Sequence, residues 1–153
     1  MVAGYQAVDC PYCHNHGIKP WKSFLDEASF KNSINEIATN YLGRSKIFQN
    51  SEMKLPITIV PDQNEKDFIR FYKNGDLFTI SKTHLRKVLG RKILPSNNFH
   101  LQYDRNGYRL SGEGNGHGVG MCQFGALELA KRGYNYEQIL AHYFPGHVID
   151  KIY

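Results

Sequence analysis

Five glycines alternate with other residues at Gly112, Gly114, Gly116, Gly118 and Gly120, and His117 sits among them. Glycine permits positive φ and close backbone approach, at an entropic cost that an unconstrained loop has no reason to carry. The run leads into a helix expected from about Gln123 to Lys131. The free N–H groups and positive dipole end of that helix face the loop. Such a site can hold an anion or a polar sugar group. It is not a Walker loop, because no Gly-Lys-Ser/Thr follows, and no strand–loop–helix–strand unit makes it a dinucleotide fingerprint. His117, open on both sides, can hydrogen-bond a sugar or position a water; equally, it can tie the loop together through backbone carbonyls. Gln123, at the helix start, can bond a sugar hydroxyl or the loop backbone. His142 and Tyr143, ending the last helix, can contact a ligand or cap and pack that terminus.

Glu113 and Glu128 are the carboxylates near this segment. Glu113 is a weak candidate for an acid, against the plainer reading of a solvated loop carboxylate. Glu128 falls on the exposed side of the expected helix. Near the N-terminus, Cys10 and Cys13 are spaced as two thiolate ligands for Zn2+, with His14 and His16 beside them. His16 or the distant Cys122 is the third ligand in that reading. A disulfide, for example Cys13 with Cys122, and plain reduced thiols are the alternatives. A Cys122–His117 hydrolase lacks an orienting third residue. Tyr12, Trp21, Tyr134 and Tyr136 offer stacking faces for sugar rings, or core packing.

The elements that must position these groups are legible in outline. Phe30, Ile34, Ile37 and Tyr41 fall on one helical face from about Glu27, with Asp26 as a cap and Gly43 as a stop. Residues 55 to 60 and 68 to 73 read as strands, the first at an edge because of Pro56. Asn74-Gly75-Asp76 turns the chain into a further strand over Leu77 to Ile80, and Asp104 to Gly107 makes a second hairpin between 99–103 and 108–110. A helix follows Ser81 and stops at Gly90, and a last short helix spans about Tyr136 to Tyr143. Hairpins alternating with helices give an α+β fold, antiparallel hairpins with a few covering helices.

The length of 153 residues suits one domain. The composition, 41% hydrophobic and 22% charged, is globular. No apolar run is long enough to cross a membrane, and the N-terminus shows neither the basic nor the apolar region of a signal peptide. Nineteen Lys and Arg against 14 Asp and Glu give a net charge of +5, which suits an anionic partner without choosing one.

The segment Gly116-His117-Gly118-Val119-Gly120-Met121-Cys122-Gln123-Phe124-Gly125-Ala126 resembles the closing signature of the SpoIID/LytB family. So do Ala130, Gly133-Tyr134, Tyr136, Ile139-Leu140 and His142-Tyr143-Phe144-Pro145-Gly146. The likeness extends upstream through Ile80-Ser81, Leu85-Arg86, Leu89-Gly90 and Ser96 to Phe99, so it is strongest over 80 to 146. Glu113 and Asn115 stand where members often carry Arg and Trp or Tyr, and Phe144 replaces a second Tyr. The resemblance implies a cell-wall protein acting on peptidoglycan, as a lytic transglycosylase or as an amidase enhancer. It also implies peptidoglycan glycan strands or a wall amidase as partners, no nucleic acid, and a periplasmic or cell-envelope location. In the transglycosylase reaction one Glu protonates the glycosidic oxygen and then deprotonates the muramyl 6-hydroxyl. The family segment that carries this Glu has no counterpart here. The expectation is therefore a single portion, 1–153, of a larger SpoIID-like domain, its C-terminal half, with an N-terminal half as a further partner.

Overall fold

In a computed structural model of the chain, residue 12 and residues 18–53, 57–60 and 67–150 are described. The chain forms two compact units, Lys19–His117 and a smaller one made of Met1–Ile18 with Gly118–Tyr153.

The larger unit begins with β1 (Pro20–Asp26), whose last residue starts α1 (Glu27–Tyr41). Asp26 caps this helix as its spacing foretold: its carboxylate accepts from the Ser29 N–H at 2.8 Å and the Ser29 hydroxyl at 2.7 Å. These two bonds hold the Asp26 carboxyl below its ordinary value. Phe30, Ile34 and Ile37 turn inward and are buried, whereas Tyr41, at the end of the stripe, is exposed. A 3-10 turn, Asn50–Glu52, follows. Of the expected strand over 55 to 60, Thr58–Ile59 forms β2; residues 54–56 lie outside the described residues. β3 (Phe68–Lys73) and β4 (Asp76–Ser81) form the first expected hairpin, with Asn74 and Gly75 at positive φ in its turn. Then come α2 (Lys82–Leu89), β5 (Phe99–Asp104) and β6 (Gly107–Glu113).

The strands make two three-stranded antiparallel sheets, β1-β6-β5 and β2-β3-β4. The α+β expectation holds. One strand was not foreseen: β1 pairs with β6 from Pro20↔Glu113 to Asp26↔Gly107. Its sequence, Pro-Trp-Lys-Ser-Phe-Leu-Asp, buries Leu25 fully and leaves Phe24 exposed, so the inward row is Trp, Ser, Leu and lacks apolar alternation.

The core runs through both sheets and both helices, with Phe30, Ile34, Phe71, Leu85, Tyr108 and Leu110 among its buried members. Phe30 and Tyr108 meet at 4.4 Å between ring centroids. Polar groups enter the core with partners. Asn35 donates to the Phe48 carbonyl and accepts from the Phe48 N–H, each at 2.8 Å, which stitches the chain after α1 to the helix. Lys31 is fully buried and donates to the Glu52 carbonyl at 2.6 Å. Burial lowers its pKa, while Glu27 and Glu52 act in the opposite sense.

The smaller unit contains α3 (Gln123–Lys131) and α4 (Tyr136–Tyr143), both within their expected limits, packed on each other. Asn135 caps α4 reciprocally with Gln138: each side chain accepts from the other's backbone N–H at 2.9 Å. Among its described residues, the buried side chains are Leu129 and Tyr143. Arg132 lies over the Tyr12 ring at 4.7 Å.

Candidate functional site

The glycine segment starts as sheet and ends as loop. Gly112 and Glu113 still belong to β6, so the first glycine serves packing rather than a turn. A Cβ on Gly112 would run into the Asn98 carbonyl and come within 2.5 Å of the Trp21 ring. Beyond it, Gly114, Gly116, Gly118 and Gly120 all take positive φ, between 73° and 99°. The alternation in the sequence is thus the alternation of left-handed backbone positions, which side chains rarely tolerate.

In the larger unit, the run Ser96-Asn97-Asn98 clamps the start of this segment. Gly116 bridges to Ser96 in parallel fashion, donates to the Pro95 carbonyl at 2.9 Å and accepts from the Asn97 N–H at 3.0 Å. The Ser96 hydroxyl donates to the Glu113 carbonyl at 2.6 Å and accepts from the Trp21 indole N–H at 3.1 Å. Asn97, 7% exposed, donates from Nδ2 to Thr83 Oγ1 at 2.9 Å and to the His117 carbonyl at 3.4 Å. Its Oδ1 is buried with no hydrogen-bond partner among the described residues. Arg86 supports the clamp from α2, its guanidinium donating to the Leu94 and Pro95 carbonyls. These tethers hold the backbone of His117 while its side chain is left exposed.

Of the residues singled out in this unit, Gly116 and His117 are brought together by the clamp. Glu113 is exposed, and its Oε1 accepts from Asn98 Nδ2 at 3.2 Å. Trp21, read as a stacking face or as core packing, is half-buried, its ring 6.1 Å from Phe99 and its N–H donating to Ser96. Ser96, Asn97, Asn98 and Thr83 were not picked out as site residues. A run of Ser and Asn has no periodicity, and its only signal was the resemblance that includes Ser96.

In the smaller unit, Gly118 and Gly120 lead to Cys122, which caps α3: its Sγ accepts from the Gly125 N–H at 3.5 Å. Gln123 is the first residue of α3 and is exposed. Tyr143 is buried, and His142 stands edge-on to it at 4.7 Å. The His142 Nε2 is buried without a hydrogen-bond partner among the described residues. Both residues therefore help to build the end of α4. Tyr134 and Tyr136 are exposed. Cys10, Cys13, His14 and His16 lie outside the described residues, and with them the zinc and disulfide readings. Among the described residues there is no group of three or more His, Cys, Asp or Glu able to hold a metal ion.

The larger unit also has a cleft of about 490 Å³, lined by Ile57, Ile59, Phe68, Phe99, Leu101 and Lys82 among others. None of the expected site residues reaches it. Among the described residues, no helix is long and apolar enough to cross a membrane.

The chain is similar to two known proteins. It is 33% identical over 132 residues to an uncharacterised protein of Brachyspira hyodysenteriae, a match covering 86% of this chain and 33% of that protein. It is 38% identical over 77 residues to a Bacillus subtilis protein named amidase enhancer, covering 49% of this chain and 11% of that protein. The chain thus spans about a third of the length of the first relative and about a tenth of the second. No known protein-family profile matches it.

Proposed function

We propose that the chain is the peptidoglycan-binding part of a cell-envelope protein of SpoIID/LytB type, which grips glycan strands through the glycine segment around His117. The observation that carries this reading is the construction of that segment. Left-handed glycines recur at every second position from 114 to 120, and Ser96 and Asn97 hold the Glu113, Gly116 and His117 carbonyls from the side. A backbone set in this way presents N–H and C=O groups without side chains in front of them, which suits the close approach of a sugar bearing hydroxyl and acetamido groups. The exposed His117 imidazole adds a polar side chain to this backbone. The similarity to an amidase enhancer supports the wall as the place of action and a wall amidase as a partner.

Binding is favoured over cleavage of the glycan by one feature. The loop carboxylate, Glu113, is exposed and engaged by Asn98. A glycosidic acid, by contrast, works from an apolar pocket. Lytic transglycosylase activity then rests on a residue other than Glu113.

Sedimentation with purified peptidoglycan tests the reading. The chain is expected in the pellet, His117→Ala is expected to reduce it, and a wall amidase should release more product when the chain is added. An absence of both sedimentation and stimulation overturns the proposal. Appearance of 1,6-anhydromuropeptides would replace binding with cleavage.

A further inference from the structure

The charge of this protein is unevenly placed. Residues 77 to 103 contain Lys82, Arg86, Lys87, Arg91 and Lys92 and no Asp or Glu. The 19 Lys and Arg less these five leave 14 elsewhere, matched by 14 Asp and Glu. The whole net charge of +5 therefore belongs to α2 and the segments flanking it.

The five cations divide into two kinds. Lys82 donates to the Phe99 carbonyl at 2.9 Å, and Arg86 donates to the Leu94 and Pro95 carbonyls, so both serve the fold. Burial, with Arg91 nearby, lowers the Arg86 pKa. Lys87, Arg91 and Lys92 are exposed, and none of them has an ion-pair partner among the described residues. Beside Lys87 is an aromatic platform: His84 stacks on Tyr41 at 4.3 Å and 16°, and Lys87 Nζ lies 5.7 Å from the Tyr41 ring centroid. Arg44 and Lys46, also exposed, follow Tyr41 in the chain. Lys87 beside a flat ring pair, with the exposed Arg91 and Lys92 following shortly after in the chain, suits a chain of alternating anions and polyols. The guanidinium and ammonium groups meet the anions, and the rings accept the C–H faces between them.

We propose that the C-terminal end of α2 and the Arg91-Lys92 segment after it dock a polyol-phosphate wall polymer, a second ligand distinct from the glycan proposed for the glycine segment. The proposal rests on the cell-envelope reading above. A phosphodiester chain fits better than peptidoglycan stem peptides, because it carries one negative charge per repeat without the balancing amines. The two ligands divide the work: polymer charge concentrates the protein at the wall, and the glycine segment reads the strand.

The test uses soluble poly(glycerol phosphate) in a fluorescence binding assay, with peptidoglycan stripped of phosphate polymers as the second ligand. Wild-type protein should bind the soluble polymer, with affinity falling roughly a hundredfold for a tenfold rise in salt, as expected for about three phosphate contacts. K87E/R91E should weaken this at least about tenfold, while K22E/R105E, with the same change in net charge elsewhere, should weaken it far less. Both variants should sediment with stripped peptidoglycan like wild type, which also shows that they are folded; K87A/R91A/K92A serves if charge reversal disturbs folding. Equal loss in the two charge-reversal variants, or no loss in either, overturns the proposal. So does tighter binding of duplex DNA or anionic phospholipid vesicles than of the polymer at the same salt. Polymer binding without sedimentation on stripped peptidoglycan would remove the glycan reading and leave this docking segment standing.

Discussion

Trp21 and Ser96 lie 75 residues apart in the chain and are joined by one hydrogen bond of 3.1 Å from the indole N–H to the hydroxyl. The same hydroxyl donates to the Glu113 carbonyl at 2.6 Å, so a single serine ties the edge strand β1 to the root of the glycine segment. Gly112 makes room for this arrangement, with the Trp21 ring lying over it.

Gly112→Ala should therefore be costly although alanine is small. Its Cβ would meet the Asn98 carbonyl and the indole, neither of which is the far end of a flexible chain. Overpacking of this kind costs about 1–3 kcal/mol. Urea unfolding should show the midpoint falling with an unchanged slope, and an unchanged midpoint would mean that β1 is not seated as described.

His117→Ala and Asn97→Ala should separate binding from stability. His117 is exposed, and its removal should leave unfolding within about 0.5 kcal/mol of wild type while peptidoglycan sedimentation drops. Asn97 is buried and holds Thr83 and the His117 carbonyl. Its loss should cost about 1–3 kcal/mol and also reduce sedimentation, because the segment is no longer held. Equal stability of the two variants would argue against the clamp.

Asp26 makes a prediction about acid. Its folded pKa is below the ordinary value, through the Ser29 hydroxyl and then the Ser29 N–H. The unfolded state thus binds the proton more readily. The ionised contribution is complete above the unfolded value of 3.8 and is lost as pH falls through the folded one. Asp26→Ala should cost about 0.5–2 kcal/mol at neutral pH. Asp26→Asn should keep most of the cap and lose this part of the acid dependence, measured by thermal unfolding between pH 2 and 6.

Tyr108 makes the opposite prediction at the alkaline end. Burial, opposed by the hydrogen bond its hydroxyl accepts from Ile57, pushes its pKa up to about 12 from 10.0. The folded state keeps the proton that the unfolded state gives up. Its contribution is full below pH 10 and is lost as pH rises toward 12. In an ultraviolet titration, the wild-type minus Tyr108→Phe difference should show a phenol ionising well after the exposed tyrosines. A difference centred near 10 would contradict the burial.

What could be read in the sequence followed periodicity and punctuation. Asp26 with Ser29, Asn74-Gly75 and Asn135 with Gln138 are local devices, and the elements they bound lie where expected. β1 was missed because its inward row, Trp21, Ser23 and Leu25, is stabilised by a partner strand more than 80 residues away. The site divides in the same way. The glycines and His117 stand out through spacing. Ser96, Asn97 and Thr83 act through contacts 14 to 20 residues away, which leave no local pattern. The exposed Tyr41 shows the limit of a helical stripe: the spacing continues after the buried face has ended.

The position of β6 has a consequence in time. It is the central strand of its sheet, paired with β1 on one side and β5 on the other, and the Gly114 N–H still reaches the Lys19 carbonyl at 3.2 Å. Amides up to that point open only with the sheet itself, so their hydrogen exchange should be among the slowest in the unit. The glycine segment thus hangs from one of the slowest-opening strands. Its strand-side end stays fixed, so on the proposed function the residence time of a bound sugar would be set by the sugar's own contacts rather than by fraying of the support.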